Sequence, residues 1–342
     1  MLRRPPHRSR AVLALTLVLG LSWVGCSQDS TDLSGPAEQQ QEVPQFDRAS
    51  APGQEIAAAV RAQEAHTERL LGMPGVEGTA VGLGVDGRPE IQVYVERGDV
   101  AGVPRKLDGF PVKVHVTGKF RALPPQENRR PDTAPEKKKC DNPPCNGGGG
   151  GGGGGDDGGT DPTARFRPVR IGISTGHPNI TAGTIGACVT KGNTRYFLSN
   201  NHVLANENNA NNGDAMLQPG PFDGGQDPAD RVGDLSDFVP IVFSTSANNV
   251  VDAAIAAVGN GIQFLNQTPS NGYGTPLSTT IAASIGMRVM KYGRTTRQTK
   301  GRVQGINATV NVGYDTDVAR FVGQIVIGGG GFSSGGDSGS LI

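Results

Sequence analysis

The first apolar segment of the chain is the run AVLALTLVLGLSWVG, which follows the basic stretch MLRRPPHRSR. This run is short for a membrane span, and small and polar residues follow it. The pattern predicts a signal peptide over residues 1–25 and therefore export of the protein. Residues 26–53 are rich in Gln, Ser, Pro and Asp without periodicity, and this composition predicts a disordered tether.

Between residues 54 and 122 the apolar positions predict a small α/β domain. Ile56, Val60 and Leu70 form an apolar stripe at helical spacing, which ends before Gly72. The stretch GTAVGLGVDGRPEIQVYVE predicts two strands joined by a tight turn, and the alternation in FPVKVHVTG predicts a third strand. No catalytic constellation is present in this part of the chain, so its role stays open.

Residues 123–164 are a linker by composition. A Pro-rich, charged half is followed by nine consecutive glycines at residues 147–155. Such a sequence cannot bury enough apolar surface to order itself. About 40 residues of this kind span roughly 35 Å, so we expect the small domain to reorient freely relative to the rest of the chain.

From residue 165 onward the pattern predicts an all-β domain. Short apolar runs such as VRIGIS, RYFLSN, DAAIAAV, MRVMKYG and ARFVGQIVI are separated by clusters of Gly, Asn, Asp, Pro and Ser. No helix-length amphipathic pattern interrupts them. This alternation is typical of β-sandwiches and β-barrels.

Net charge bears on nucleic-acid binding, and the cysteines bear on the cellular compartment of the protein. The chain has 32 basic and 32 acidic residues, so nothing favours a charge-driven association with nucleic acid. Cys26 follows the apolar run within GCS, which resembles a bacterial lipoprotein processing site, although Trp23 replaces the usual Leu. A lipid anchor through Cys26, simple secretion and an uncleaved anchor are the three interpretations. Cys140 and Cys145 predict a small disulfide loop in an oxidising compartment, and Cys188 a buried thiol.

Three short stretches of the all-β region carry candidate chemistry. His202 stands at the end of the strand-like run YFLSNN, and Asp252 lies between apolar residues in VVDAAIA. Ser338 lies in the closing GGDSGSLI. A buried carboxylate needs a proton donor to satisfy it, and serine attack on a carbonyl needs a base, a group that orients the base, and donors for the oxyanion. His202, Asp252 and Ser338 fit these roles, with the Gly336 and Ser338 amides as oxyanion donors. Asp234 and Asp237 are weaker candidates because they lie in polar loop sequence.

LSNNHVLA, VDAAIA and GGDSGSLI, in the chain order His, Asp, Ser, resemble the chymotrypsin/trypsin-like serine peptidases. KYGRTTRQTKGRV is similar to a strand-turn-strand segment that precedes the serine in a bacterial branch of the family. The resemblance covers residues 168–342 and implies a double six-stranded β-barrel, a peptide or protein substrate and no cofactor.

The chain departs from the family's pattern in four respects. Val203 stands where animal members have a cysteine, and no activation site supplies a new N-terminus to pair with Asp337. Phe332 stands where trypsin has an acid at the base of its pocket, which argues against cleavage after Arg or Lys. Family members also continue for several strands after the serine. We therefore expect the second barrel to be incomplete and the chain to be a fragment of a longer product.

Several alternatives remain open. A catalytically inert envelope binding or scaffold lipoprotein would carry the same motifs in a degenerate barrel. The small domain of residues 54–122 could also be an inhibitory pro-region. The acidic stretch FDGGQDPADRVGDLSD fits no calcium-loop spacing, so we expect a surface loop and no metal site. The sequence leaves the cleavage specificity and the oligomeric state open.

Overall fold

Residues 51–122 form a helix packed on a small sheet in the computed structural model, which describes residues 51–122 and 160–342. The helix confirms the predicted one, and the two strands around the tight turn pair antiparallel as expected. Leu70, Ile91 and Val93 are fully buried in the core between helix and sheet. The elements are α1 (Ala51–Leu71), β1 (Val76–Leu83), β2 (Pro89–Val95), β3 (Lys106–Leu107), β4 (Phe110–Val116) and β5 (Phe120–Arg121).

The next described part of the chain, up to residue 265, contains nine strands and a short helix. The strands are β6 (Val169–Arg170), β7 (Ser174–Thr175), β8 (Gly183–Thr184), β9 (Ala187–Lys191), β10 (Thr194–Ser199), β11 (Ala215–Leu217), β12 (Arg231–Phe238), β13 (Ala254–Val258) and β14 (Phe264–Leu265); the short helix, α2 (Asn201–Leu204), follows β10. Five of them form a sheet in the order β11-β12-β13-β10-β9, and β14 pairs with β6 and β7 with β8. Buried Phe166 and Phe197 lie in the core of this part.

The last three strands belong to a second, eight-stranded sheet that also contains β1 to β5. These strands are β15 (Arg288–Gly293), β16 (Arg297–Gly313) and β17 (Val318–Gly328). The long strand β16 pairs antiparallel with β15 and β17, and its second half also pairs antiparallel with β1, where Gly78 lies opposite Val310. The strand β16 therefore joins the two parts of the chain.

The expectation of a freely reorienting small domain is wrong. Besides the β1–β16 pairing, Tyr94 and Phe120 pack in one cluster with Val310 and Phe321. An ion pair of 2.5 Å also joins Glu68 on α1 to Arg320 on β17. The surfaces of the two parts pack together although the sequence between them is rich in proline and glycine.

The fold class is confirmed as predominantly β, with a helix and its strands preceding the all-β part. Cys188 is buried, as predicted, and accepts a weak hydrogen bond from Arg195 Nη2 at 3.7 Å. Within residues 51–122 and 160–342, no helix combines the length and the apolarity that crossing a bilayer requires. The predicted signal peptide, Cys26 and the Cys140–Cys145 pair lie outside the described residues.

Candidate active site

His202 lies on the short helix α2, directly after strand β10. Its imidazole Nδ1 is 2.5 Å from Oδ2 of Asp252, and its backbone N–H donates to Oδ1 of the same carboxylate at 3.3 Å. Because the carboxylate can only accept, Nδ1 carries the proton of this hydrogen bond. The other ring nitrogen, Nε2, is then the one able to accept a proton in the neutral imidazole.

Asp252 stands just before strand β13, which pairs with β10, so the sheet brings it next to His202. Its side chain is 11% exposed. Burial disfavours its ionised form, but hydrogen bonds and the charge of His202, together with a hydrogen bond from Tyr314, outweigh burial and hold the pKa of Asp252 below its usual value. The Asn200 amide donates to the backbone carbonyl of Asp252 at 2.6 Å and fixes the chain there. Asp252 is therefore an ionised carboxylate at neutral pH.

Ser338 lies in a tight turn that contains two glycines with left-handed backbone, Gly336 and Gly339, each with φ of 90°. At Gly339 an added Cβ would lie 2.4 Å from the carbonyl oxygen of Thr184, so only glycine fits. Thr184 also holds the turn directly, since its N–H donates to the Ser338 carbonyl at 2.8 Å and its hydroxyl to the Gly336 carbonyl at 2.9 Å. The turn is thus anchored to strand β8.

The two candidate reacting groups face one space. His202 and Ser338 both line a cavity of about 530 Å³ in the protein surface, together with residues of the 178–182 loop and with Asp315 and Thr316. Across the described part of the chain, no group accepts a hydrogen bond from the N–H of Gly336 or of Ser338. An oxyanion site requires donors of this kind, which no internal acceptor has taken up.

The buried carboxylate of Asp337, next to Ser338, has an internal cation. Lys291 Nζ lies 3.1 Å from Asp337 Oδ2, and both side chains are almost completely buried. Burial lowers the pKa of Lys291, while the charge of Asp337 and the hydrogen bond to it oppose that shift. The carboxylate also accepts hydrogen bonds from the N–H groups of Thr295, Thr296 and Ser334. A new N-terminus is not needed to satisfy Asp337, because Lys291 and these donors do so.

A second buried ion pair joins the segment between β11 and β12 to the end of β15. Arg294, which follows β15, pairs through two guanidinium nitrogens with the carboxylate of Asp223, from the acidic stretch of the sequence. Another acid of that stretch, Asp230, pairs with Arg165 at 2.9 Å. In the described ranges, no cluster of three or more His, Cys, Asp or Glu side chains could hold a metal ion.

One residue singled out in the sequence lies outside the cavity of His202 and Ser338, and two residues that contact the site were not predicted. Phe332 is buried under Lys291 and lines a separate cavity of about 470 Å³, together with Asp252 and Asp337. Sequence reasoning did not find Tyr314, which contacts Asp252, nor Lys291 as the partner of Asp337. The apolar surroundings of Lys291 in RVMKYG were the available signal that this lysine is buried.

Part of the chain is similar to solved structures of bacterial serine proteases. Thermobifida fusca protease A has a TM-score of 0.35 at 18% identity and covers 51% of this chain and 77% of its own. Cellulomonas bogoriensis chymotrypsin has a TM-score of 0.33 at 20% identity, and the match covers 51% of this chain and 75% of that protein. A Nocardiopsis protease has a TM-score of 0.34 at 19% identity, and the match covers 50% of this chain and 76% of that protein. No family model matches the chain, and no curated protein matches it.

Proposed function

We propose that this protein is a serine endopeptidase that hydrolyses peptide bonds through His202, Asp252 and Ser338. The observation that carries the proposal is geometric. A histidine whose Nδ1 is hydrogen-bonded to a buried carboxylate lines the same cavity as a serine in a glycine turn. No cofactor is required for this chemistry.

The reaction follows from the positions of the donors and acceptors. Ser338 Oγ attacks the carbonyl carbon of the substrate while its proton passes to Nε2 of His202. Asp252 holds Nδ1–H and stabilises the imidazolium that forms. The oxyanion accepts hydrogen bonds from the N–H groups of Gly336 and Ser338. His202 then protonates the leaving amine, and water hydrolyses the acyl-enzyme by the same route.

Covalent labelling tests this function. A fluorophosphonate reacts with an activated serine, so we expect it to label the protein, and we expect Ser338→Ala to abolish the label. Ser333→Ala, an exposed serine of the preceding loop, is the matched control and should keep it. A chain that shows no label at all would instead favour the inert binding or scaffold lipoprotein.

The role of residues 54–122 as an inhibitory pro-region is a separate proposal. It is supported by Ala122, which lies at the end of this segment and lines the cavity shared by His202 and Ser338. A specific protease site placed within residues 147–155 allows the segment to be separated from the catalytic half. Peptide hydrolysis that rises when the segment is cut off and removed supports the proposal. An unchanged rate contradicts it, and so does a lower rate, which would show instead that the segment supports the site through its pairing with β16.

Export, with a lipid anchor through Cys26 or with simple secretion, also remains a proposal. Its support is the N-terminal basic and apolar pattern of the sequence, which lies outside the described residues. An envelope or extracellular location would bring the enzyme into contact with protein substrates there.

A further inference from the structure

Tyr314 lies at the tip of the hairpin that joins β16 to β17 and reaches the candidate catalytic carboxylate. Its hydroxyl donates a hydrogen bond to Oδ2 of Asp252 at 3.0 Å. Its ring and the imidazole of His202 pack edge to face, with centroids 5.7 Å apart, and Phe243 packs against Tyr314 in the same way at the same centroid distance. A residue of the second sheet thus completes a site formed by the first.

The carboxylate of Asp252 is held by three donors. Oδ2 accepts from His202 Nδ1 and from the Tyr314 hydroxyl, while Oδ1 accepts from the His202 backbone N–H. Donors on both oxygens restrict rotation of the carboxylate about its Cβ–Cγ bond. The rotation matters because the direction of Oδ2 sets the orientation of the imidazole.

The contact between Tyr314 and Asp252 does not depend on substrate. The cavity lined by His202 and Ser338 is bordered by Asp315 and Thr316 of the same hairpin tip, and Tyr314 is not among its lining residues. The Tyr314 ring instead packs in a cluster of apolar side chains that includes Phe321. A role through Asp252 is therefore separable from a role in binding substrate.

A turn after His202 fastens the hairpin tip. Asn206, Glu207 and Asn208 have φ of 46°, 53° and 73°, three successive non-glycine residues in the left-handed region. This backbone is unfavourable and must be stabilised by its surroundings. The carboxylate of Glu207 accepts from the N–H of Asp315 at 3.2 Å and of Thr316 at 2.9 Å.

The strained turn is held in place on its other side. Asn208 and Asn201 exchange two hydrogen bonds, at 2.8 and 3.1 Å, and the Asn208 amide donates to the carbonyl of Ile241. Asn201 directly precedes His202. The turn that follows the helix of His202 therefore also positions the hairpin tip that carries Tyr314.

We propose that Tyr314 is a positioning residue for the catalytic pair, which holds the Asp252 carboxylate in the orientation that aligns His202. The inference rests on the proposed peptidase function. The titratable groups near Asp252 are His202 on α2, Tyr314 itself and, beyond Tyr314, Glu207. Lys291 and Asp337 line a cavity together with Asp252 and pair with each other.

Kinetics of Tyr314→Phe test the proposal. The variant keeps the ring and removes one donor to a charged acceptor, so we expect kcat to fall about tenfold with KM unchanged. Loss of this donor raises the pKa of Asp252, because the Tyr314 hydrogen bond is one of the interactions that lower it. The acid limb of the pH profile of kcat/KM should therefore move to higher pH.

Tyr292→Phe is the matched control. Tyr292 is fully buried, whereas Tyr314 is partly buried, and its hydroxyl likewise donates a hydrogen bond, at 2.7 Å, but to Asn271 and not to a residue of the site. The control should keep both kcat and the pH profile. If Tyr314→Phe behaves like Tyr292→Phe, the proposal is overturned.

A readout without turnover separates this inference from the peptidase function. In Ser338→Ala protein, the proton on His202 Nδ1 can be observed by NMR, and its resonance reports the hydrogen bond to Asp252. We expect Tyr314→Phe to shift this resonance and Tyr292→Phe to leave it in place. Two results together would support the positioning role and reject the peptidase function: the Nδ1 resonance shifts in Tyr314→Phe, and fluorophosphonate does not label the native protein. An unmoved resonance would reject the positioning role alone.

Discussion

Asp337 and Lys291 show how one residue pair can stabilise the turn that carries Ser338. A fully buried carboxylate is tolerated only if a cation and hydrogen-bond donors compensate its lost hydration. Lys291 supplies the cation, and backbone N–H groups of the segment after β15 supply much of the rest. The position of the Ser338 turn therefore depends on a lysine that does not take part in the chemistry.

Removing that cation should be costly. We expect Lys291→Met to lower the free energy of unfolding by about 3–5 kcal/mol, because it leaves a buried carboxylate without its counter-ion. Denaturant unfolding measures the change. Lys300→Met, an exposed lysine opposite Met290 in the β15–β16 pair, is the control and should change stability little. Equal effects of the two substitutions would contradict the structural role of Lys291.

At the residue scale, the sequence was informative where residue type and surroundings pointed to the same chemistry. A carboxylate amid apolar residues, a histidine after a strand and a serine between glycines identified Asp252, His202 and Ser338 as candidates. Tyr314 could not be identified in this way, and the apolar surroundings of Lys291 indicated that it is buried but not which residue it pairs with. A tyrosine at a hairpin tip and a lysine in a strand are ordinary in sequence, and their roles arise from contacts with residues more than 40 positions away.

At the scale of elements, the pairing of β1 with β16 depends on a close approach of the two backbones. A Cβ at Gly78 would lie 2.7 Å from Val310 Cγ1 and 2.8 Å from the carbonyl oxygen of Thr309. A side chain there must push the strands apart. Only glycine allows β1 to hydrogen-bond with β16 at this position.

We therefore expect Gly78→Ala to destabilise the protein by about 1–3 kcal/mol, as overpacking in a filled interior does. For a chain of this size the loss corresponds to a fall of several degrees in Tm, roughly 2–4 °C per kcal/mol. Gly98→Ala serves as the comparison, since its Cβ would meet only Val116 Cγ2, at an ordinary 3.7 Å. Thermal unfolding gives the Tm of each variant. Equal Tm values for Gly78→Ala and Gly98→Ala would show that β1 and β16 are not closely paired.

Strand β2 illustrates what periodicity can and cannot predict. The alternation of Ile91, Val93 and Val95 with Gln92 and Tyr94 correctly predicted a strand, and the first set of residues packs on the helix. The opposite face is buried as well, with Tyr94 3% exposed and the Gln92 amide donating to the carbonyl of Gln304 at 3.3 Å. The alternation alone gave no sign of this second layer, because its partners come more than 200 residues later.

At the scale of the whole molecule, strands from both ends of the described chain form a single sheet. The fold class of each part and most of its strands could be predicted from local sequence patterns. The pairing of β1 with β16, which connects the two parts, could not. A linker rich in proline and glycine indicates only that its two ends can move apart. Whether the ends also pack depends on surface complementarity, as between Tyr94 and the Val310–Phe321 cluster, and no local pattern encodes it.

This architecture connects the N-terminal part to the proposed chemistry. Strand β5 pairs with the end of β16, where Val312 lies opposite Phe120, directly before the hairpin tip with Tyr314. The small unit thus supports the hairpin that contacts Asp252. We expect changes in residues 76–121 to affect the site through β16.

The central claim is that Ser338 is a nucleophile activated by His202. The most direct test is reaction with a fluorophosphonate, followed by mass spectrometry of the peptide that contains residues 336–339. We predict one adduct, on Ser338, that is lost in Ser338→Ala, strongly reduced in His202→Ala and retained in Ser333→Ala. A native protein that forms no adduct, or an adduct that persists in Ser338→Ala, would contradict the claim.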